Sequence, residues 1–248
     1  MLTNLLRMCV MLRLSKAGKM PCRSWSLQAV ETCPGARKSN GELVDACQGC
    51  YATTGNYNYP NVKAPRIHNK KDWKRDDFVS DMILELDNDR YFRLFDSGDF
   101  YQPKLVEKWI EICKASSHCK FWIPTRSHKY PKFHKVLAAL DSLPNVKVRY
   151  SSDSIVGEYT PGLHGSTIMS DGHKSSNITK CYAYRRDRHG KVWEREEFYK
   201  LSKEEKRVLK FGSCGSCRLC WNKDIDVIGY VQHGRKMRSV MLNKVKGE

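Results

Sequence analysis

Apolar residues between Asn69 and Asp87, namely Trp73, Phe78, Met82, Ile83 and Leu86, recur at helical spacing with charges between them, which predicts an amphipathic helix packed through that stripe. After it, the runs Tyr91–Phe95, Phe121–Thr125 and Val146–Tyr150 are short and rich in aromatic and β-branched residues, as strands are. Pro103–Ala115 and Pro131–Leu140 lie between them with the helical period. Each opens on a proline, which a first helical turn accepts without losing a hydrogen bond. Strands alternating with helices imply βαβ units and a parallel sheet. The expected fold class is α/β, with parallel βα units forming a partial, open barrel of the TIM type and a cysteine-rich C-terminal metal-binding extension.

Elsewhere the pattern is weaker. Leu12 to Ser15 reads as an opening strand. Residues 157–177 are rich in Gly, Ser and Thr and predict loops with one short strand near Ser166–Met169. Glu194–Leu209 predicts a charged helix with Phe198, Leu201 and Leu209 on its apolar side. Residues 225–231 predict a late strand, and the basic tail from His233 is expected to fray. The resulting division places the barrel in residues 1–170 and the extension in residues 171–248.

Each of the three strands ends in a small polar group: Asp96-Ser97-Gly98-Asp99, Thr125-Arg126-Ser127 and Ser151-Ser152-Asp153-Ser154. Ligands of parallel α/β sheets bind beyond the carboxyl ends of the strands, so these groups are expected to converge on one site. Such residues also make turns and cap helices, and one strand end alone would carry no more than that.

The chain has 248 residues with 40% apolar content, enough for a substantial core. Forty-four Lys and Arg against 27 Asp and Glu give a formal charge of +17, spread along the chain. That charge suits nucleic acid, another polyanion or a phosphorylated substrate as partner, and equally a plain solvated surface. Apolar stretches such as Val136–Leu140 are too short to cross a bilayer, so no membrane is expected. Residues 1–30 contain no acid and carry Arg7, Arg13, Lys16, Lys19 and Arg23, a composition shared with transit peptides. The reading of Leu12–Ser15 as a strand argues against that, and no secretory signal with an apolar core is evident, which points to the cytoplasm.

Eleven cysteines then change the picture, because clustered thiols without a secretion signal indicate metal before disulfides. Cys214, Cys217 and Cys220 are spaced like the first three ligands of a bacterial ferredoxin run, with Gly212 and Gly215 permitting a tight turn. The fourth cysteine of that run is missing, and Cys181 is the expected substitute. Zinc suits four thiolates as well as iron does. A second group contains Cys33, Cys47 and Cys50. Three thiolates on a four-iron cluster leave one iron open to a substrate or cofactor. Cys22 is an alternative to Cys33, or a fourth ligand that would close the site and make it structural. Cys9, Cys113 and Cys119 lack partner spacing and are expected to be ordinary thiols. None of the histidines stands at a spacing that marks a catalytic pair, and neither a Walker loop nor a dinucleotide glycine motif is present.

Ser24-Trp25-Ser26-Leu27, Thr32-Cys33-Pro34-Gly35, Cys47-x2-Cys50-Tyr51-Ala52, Phe92-Arg93 through Ser97-Gly98-Asp99, Phe121-Trp122, and Cys214 through Trp221 together resemble the phage gene product 88 family, from about residue 24 to 221. The resemblance implies a viral origin and, with it, the bacterial host cytoplasm, but no activity. More loosely the chain is similar to radical S-adenosylmethionine enzymes, which hold a 4Fe-4S cluster on three cysteines after the first strand of a partial βα barrel. That resemblance implies Cys33, Cys47 and Cys50 as cluster ligands and S-adenosylmethionine as cofactor. It also implies Ser97, Gly98 and Asp99 as the segment receiving the cofactor's amino group, with Asp99 accepting from the ammonium and Ser97, Thr125 and Ser152 holding its carboxylate and ribose. Arg126 is then the cation for a carboxylate, since its fork allows two parallel contacts. The C-terminal cysteines would hold an auxiliary cluster. The thirteen residues between Cys33 and Cys47 are a longer interval than the resemblance implies. Two rival expectations remain: a zinc-stabilised nucleic-acid-binding protein without catalysis, and an iron–sulfur protein that only transfers electrons or senses oxidation.

Overall fold

Seven short strands pair in parallel: β1 (Arg23–Trp25), β2 (Tyr91–Leu94), β3 (Lys120–Thr125), β4 (Val146–Ser151), β5 (Gly165–Met169), β6 (Thr179–Cys181) and β7 (Val227–Val231). The helices are α1 (Asp45–Gln48), α2 (Pro60–Asp72), α3 (Phe78–Glu85), α4 (Pro103–Ala115), α5 (Pro131–Asp141), α6 (Arg195–Lys200), α7 (Lys203–Leu209) and α8 (Arg235–Lys246). This computed structural model describes residues 12–246 apart from 17, 216 and 233. The strands form one open sheet in the order β1-β2-β3-β4-β5-β7-β6. The expected α/β class and open parallel sheet are therefore present. β6 and β7, both beyond residue 170, belong to the same sheet as β1–β5, so the C-terminal cysteines are threaded into it.

Register divides the sheet into two unlike faces. Trp25 with Leu94, Arg23 with Phe92 and Phe121, and Ile123 with Val148 lie on the side of the helices. There Trp25, Phe92, Leu94, Phe121, Ile123, Val146 and Val148 pack with Phe78 and Met82 of α3, Trp109 and Ile112 of α4, and Phe133 and Leu137 of α5. Trp109 stands 5.6 Å from Trp25 and 6.0 Å from Phe92 between ring centroids. Each such side chain contributes about 1.5–3 kcal/mol through burial, so this face anchors the fold. The other face carries Ser24, Arg93, Trp122 and Lys147 in register, with Arg149 opposite Pro124.

A segment of the C-terminal region covers that polar face. Trp221 donates from Nε1 to the Phe92 carbonyl at 3.0 Å and stacks edgewise on Trp122 and Tyr91. Arg149 is fully buried and has no carboxylate partner among the described residues; it donates to the carbonyls of Leu219, Cys220, Asn222, Ile225 and Asp226. Lys147, also buried, donates to the Lys223 carbonyl at 3.0 Å.

Four local expectations are corrected. The helix expected over Asn69–Asp87 is two helices, α2 and α3. Arg75 folds back onto Asp72, Asp77 and Asp81, and the interruption drops Trp73 into the core, where it donates to Tyr101 at 2.8 Å. The helix expected over Glu194–Leu209 is likewise two, α6 and α7, because Ser202 and Glu205 form a reciprocal capping box. Leu12–Ser15 supplies only an isolated antiparallel bridge, Ser15 to Ser24, and β1 is the first strand of the sheet. The tail expected to fray is α8, whose Met237, Val240 and Met241 repeat at helical spacing and pack on Ala46, Ile155 and Ile168. The first eleven residues, with Arg7 and Cys9 of the transit-like stretch, lie outside the described residues. Among the described residues no helix is long and apolar enough to cross a membrane.

Candidate metal centres

The loop that leaves β1 carries Cys33, Cys47 and Cys50, and four contacts pin it to the carboxyl edge of the sheet. Ala46 donates its N–H to the Asp153 carbonyl at 3.0 Å, Lys129 reaches the Gly35 carbonyl, Tyr130 donates to the Pro34 carbonyl, and Tyr51 donates to the Asp96 carbonyl at 2.7 Å. Gly35 is required by closeness, since a Cβ there would lie 2.4 Å from the Arg126 carbonyl oxygen. Burial pushes the Cys33 thiol well up; the Asp99 charge adds to this, the Val30 N–H pulls it back, and Cys47 and Cys50 raise it further. Cys47 is raised mainly by burial, with Arg126 opposing and Cys50 adding. Cys33 and Cys47 thus both lie near Asp99. Val30 holds a left-handed backbone with φ of 67°, costly for a β-branched residue, and its N–H addresses the Cys33 sulfur.

The three strand ends do converge, and they do so by satisfying each other. Asp99 Oδ1 accepts from the Phe100 N–H and from Thr125 Oγ1, while Oδ2 accepts from the Arg126 N–H at 2.7 Å. Burial pushes the Asp99 carboxyl up to about 6 despite these three donors. Ser97 donates to the Leu27 carbonyl at 2.7 Å and accepts from Arg66 Nε at 2.6 Å. Gly98 has φ of 81°, and a Cβ there would stand 2.5 Å from Leu27 Cβ. Arg126 donates to the Ser152 carbonyl and pairs with Asp153 at 3.3 Å, and Ser152 Oγ accepts the Ser154 N–H. The turn-making role of these residues is therefore real, and it is what brings the strand ends together.

The second group gathers at the far strands. Cys181, which ends β6, faces Tyr230 across the ladder, and the Tyr230 hydroxyl lies 3.4 Å from the Cys220 sulfur. Burial pushes Cys181 up to about 11, with the Ala183 N–H opposing and Cys214 and Cys217 adding. Burial likewise takes Cys220 up to about 12; the Tyr230 hydroxyl opposes this, and Cys181 and Cys214 add to it. The turn is tight, with the Cys217 N–H donating to the Cys214 carbonyl at 2.7 Å. Cys22 belongs here and not with Cys33: it is packed with Met20, Trp122 and Trp221, and it interacts with Cys214. Cys113 and Cys119 are core thiols, as expected.

Sequence reasoning missed Arg93. It stands on the polar face of β2 with its guanidinium 4.4 Å from the Trp122 ring, donates to Asp96 at 3.1 Å, and keeps Nε buried without a partner among the described residues. Its charge reaches Tyr51 beside Cys50 on one side and Cys22 and Cys214 on the other. The signal was an arginine inside a strand pattern, at a position that register turns away from the apolar core.

Ten described cysteines are free. The Val30 and Ala183 N–H groups address the Cys33 and Cys181 sulfurs, and the Tyr230 hydroxyl shares a hydrogen bond with Cys220. Among the described residues no three His, Cys, Asp or Glu side chains are close enough together to share one metal ion.

An open, all-parallel α/β sheet with thiols collected at its carboxyl edge and on its polar face defines the class of this protein. The family model for Gene product 88 matches residues 9–223, and the chain belongs to that family. No curated protein matches the chain. No solved structure matches it either.

Proposed function

We propose that the chain is a radical S-adenosylmethionine-type enzyme of phage origin, in which Cys33, Cys47 and Cys50 hold a 4Fe-4S cluster. The observation that carries this reading is the placement of exactly those three thiols in the loop after β1, beside Asp99 at the carboxyl edge of an open parallel sheet. Four thiolates on one zinc ion stand about 3.8 Å apart, given zinc–sulfur bonds of about 2.3 Å in tetrahedral array. In a four-iron cluster each thiolate has its own iron, and three thiolates leave one iron open to a cofactor.

Cys33, Cys47 and Cys50 would hold the cluster, which would supply one-electron reduction chemistry to S-adenosylmethionine bound beside it. The residues of the chain bind, orient and shield. A carboxylate offers about four acceptor sites, and Asp99 uses three on the protein, which leaves one on Oδ2 for an ammonium group. Arg126, engaged by Ser152 and Asp153, and Arg93, engaged by Asp96 and Tyr51, are the two cations at this edge that can meet a carboxylate. Ser97, Thr125 and Ser152 act by positioning the edge. Cys181, Cys214, Cys217 and Cys220 would hold a closed second centre that secures the segment covering the polar face.

The test is reductive cleavage of S-adenosylmethionine by the anaerobically isolated protein, followed by chromatography for deoxyadenosine. The reading expects deoxyadenosine from the parent chain and none from Cys50→Ala. Iron-loaded protein that forms no deoxyadenosine would leave only electron transfer or sensing.

A further inference from the structure

α8 is seated over the loop of the first thiol group. Met237 is buried against Ala46 and Ile155, and Gly49, between Cys47 and Cys50, lies so close that a Cβ would stand 2.5 Å from Met237 Cε. Lys236 donates to Thr53 Oγ1 at 2.9 Å, which joins α8 to the short turn Tyr51–Thr53. Over Arg235–Lys246 the sequence has five basic residues and no acid. Lys236 and Arg238 are exposed, as is Lys63 one turn into α2. Beside these cations stand two aromatic residues that water does not favour: Tyr51 is 51% exposed and Tyr59, at the start of α2, is 58% exposed.

Exposed cations beside exposed aromatic rings at the mouth of a site are the two parts of a single-strand-binding surface. Phosphates take the charges and unpaired bases stack on the rings, each stack being worth about 1–3 kcal/mol. A solvated basic helix would need no tyrosines, and a duplex would offer no free base faces to them. We infer that a single-stranded nucleic acid lies across the carboxyl edge, with phosphates on Lys63, Lys236 and Arg238 and bases on Tyr51 and Tyr59. The inference names the substrate class of the proposed site, and so rests on the reading of that edge as the active one.

Fluorescence anisotropy of a labelled single-stranded oligonucleotide, titrated with the full chain at several salt concentrations, tests it. Combining Lys63→Ala, Lys236→Ala and Arg238→Ala is expected to weaken binding at least about tenfold and to flatten the salt slope by about 2. A control combining Arg90→Ala, Lys114→Ala and Lys120→Ala removes equal charge from exposed positions at the opposite end of the sheet, and is expected to bind as the parent does. Tyr59→Ala is expected to weaken binding with the salt slope unchanged. The inference is overturned if the parent chain does not bind, if the control triple weakens binding as much as the first, or if duplex binds as tightly as single strand. Iron content measured on the same samples keeps the two readings apart: binding without iron removes the enzyme reading and leaves the surface standing.

Discussion

Tyr230 places its hydroxyl 3.4 Å from the Cys220 sulfur while facing Cys181 across the β6–β7 ladder, so one half-buried side chain links two cysteines of the second thiol group. A hydroxyl that donates to a thiolate orients it and offsets its charge. Groups in that role typically change metal affinity 10- to 100-fold. Tyr230→Phe should keep the fold, by circular dichroism, and lose metal about tenfold faster to a chelator than the parent chain.

Arg149 is the tether of the same region. Its guanidinium is fully buried and serves five backbone carbonyls between Leu219 and Asp226. Arg149→Met strands these acceptors, and the expected loss is about 3 kcal/mol, read from the midpoint of urea unfolding. Arg149→Lys keeps the charge but not the fork and should recover only part of the loss.

Lys147 makes stability depend on alkaline pH. Burial, aided by the Arg149 charge, lowers its pKa from 10.5 to about 8. Below pH 8 the amine is protonated in both folded and unfolded chains, and the folded one bears the burial cost. Between pH 8 and 10.5 the unfolded chain holds the proton more tightly, so this group makes stability rise with pH. Lys147→Met should be at least as stable as the parent at pH 7, and the difference between them should shrink across that window.

Asp99 joins strand ends before it can serve any cofactor. Asp99→Asn replaces an acceptor oxygen by a donor facing the Arg126 N–H or the Thr125 hydroxyl, and about 1–3 kcal/mol should be lost. Iron content should be unchanged, because Asp99 neighbours the thiols without replacing one.

The sheet was legible because its signals are local. Pro103 and Pro131 mark helix starts, and Phe121–Thr125 and Val146–Tyr150 are strands by composition; α4 begins and ends where the pattern places it. The convergence of Asp99, Thr125 and Arg126 followed from the strand-end rule, and Cys214 and Cys217 help raise the Cys181 thiol. What escaped depends on partners distant in sequence. β6 is three residues long and is a strand only because β7 lies beside it. Met237, Val240 and Met241 looked like scattered apolar residues in a basic tail until Gly49 and Ile155 gave them a surface. Pro65 inside α2 hid that helix from a periodic search. Arg93 and Arg149 could not be told from surface arginines without the register that turns them toward the thiols.

The central claim is that these thiolates hold inorganic centres, and metal analysis of protein isolated without air tests it most directly. Iron, labile sulfide and zinc should be assayed together in the parent chain, Cys50→Ala and Cys217→Ala. The account predicts iron with matching sulfide in the parent, and a partial loss of metal in each variant, from one centre at a time. Parent protein that is folded, colourless and free of both iron and zinc would contradict it.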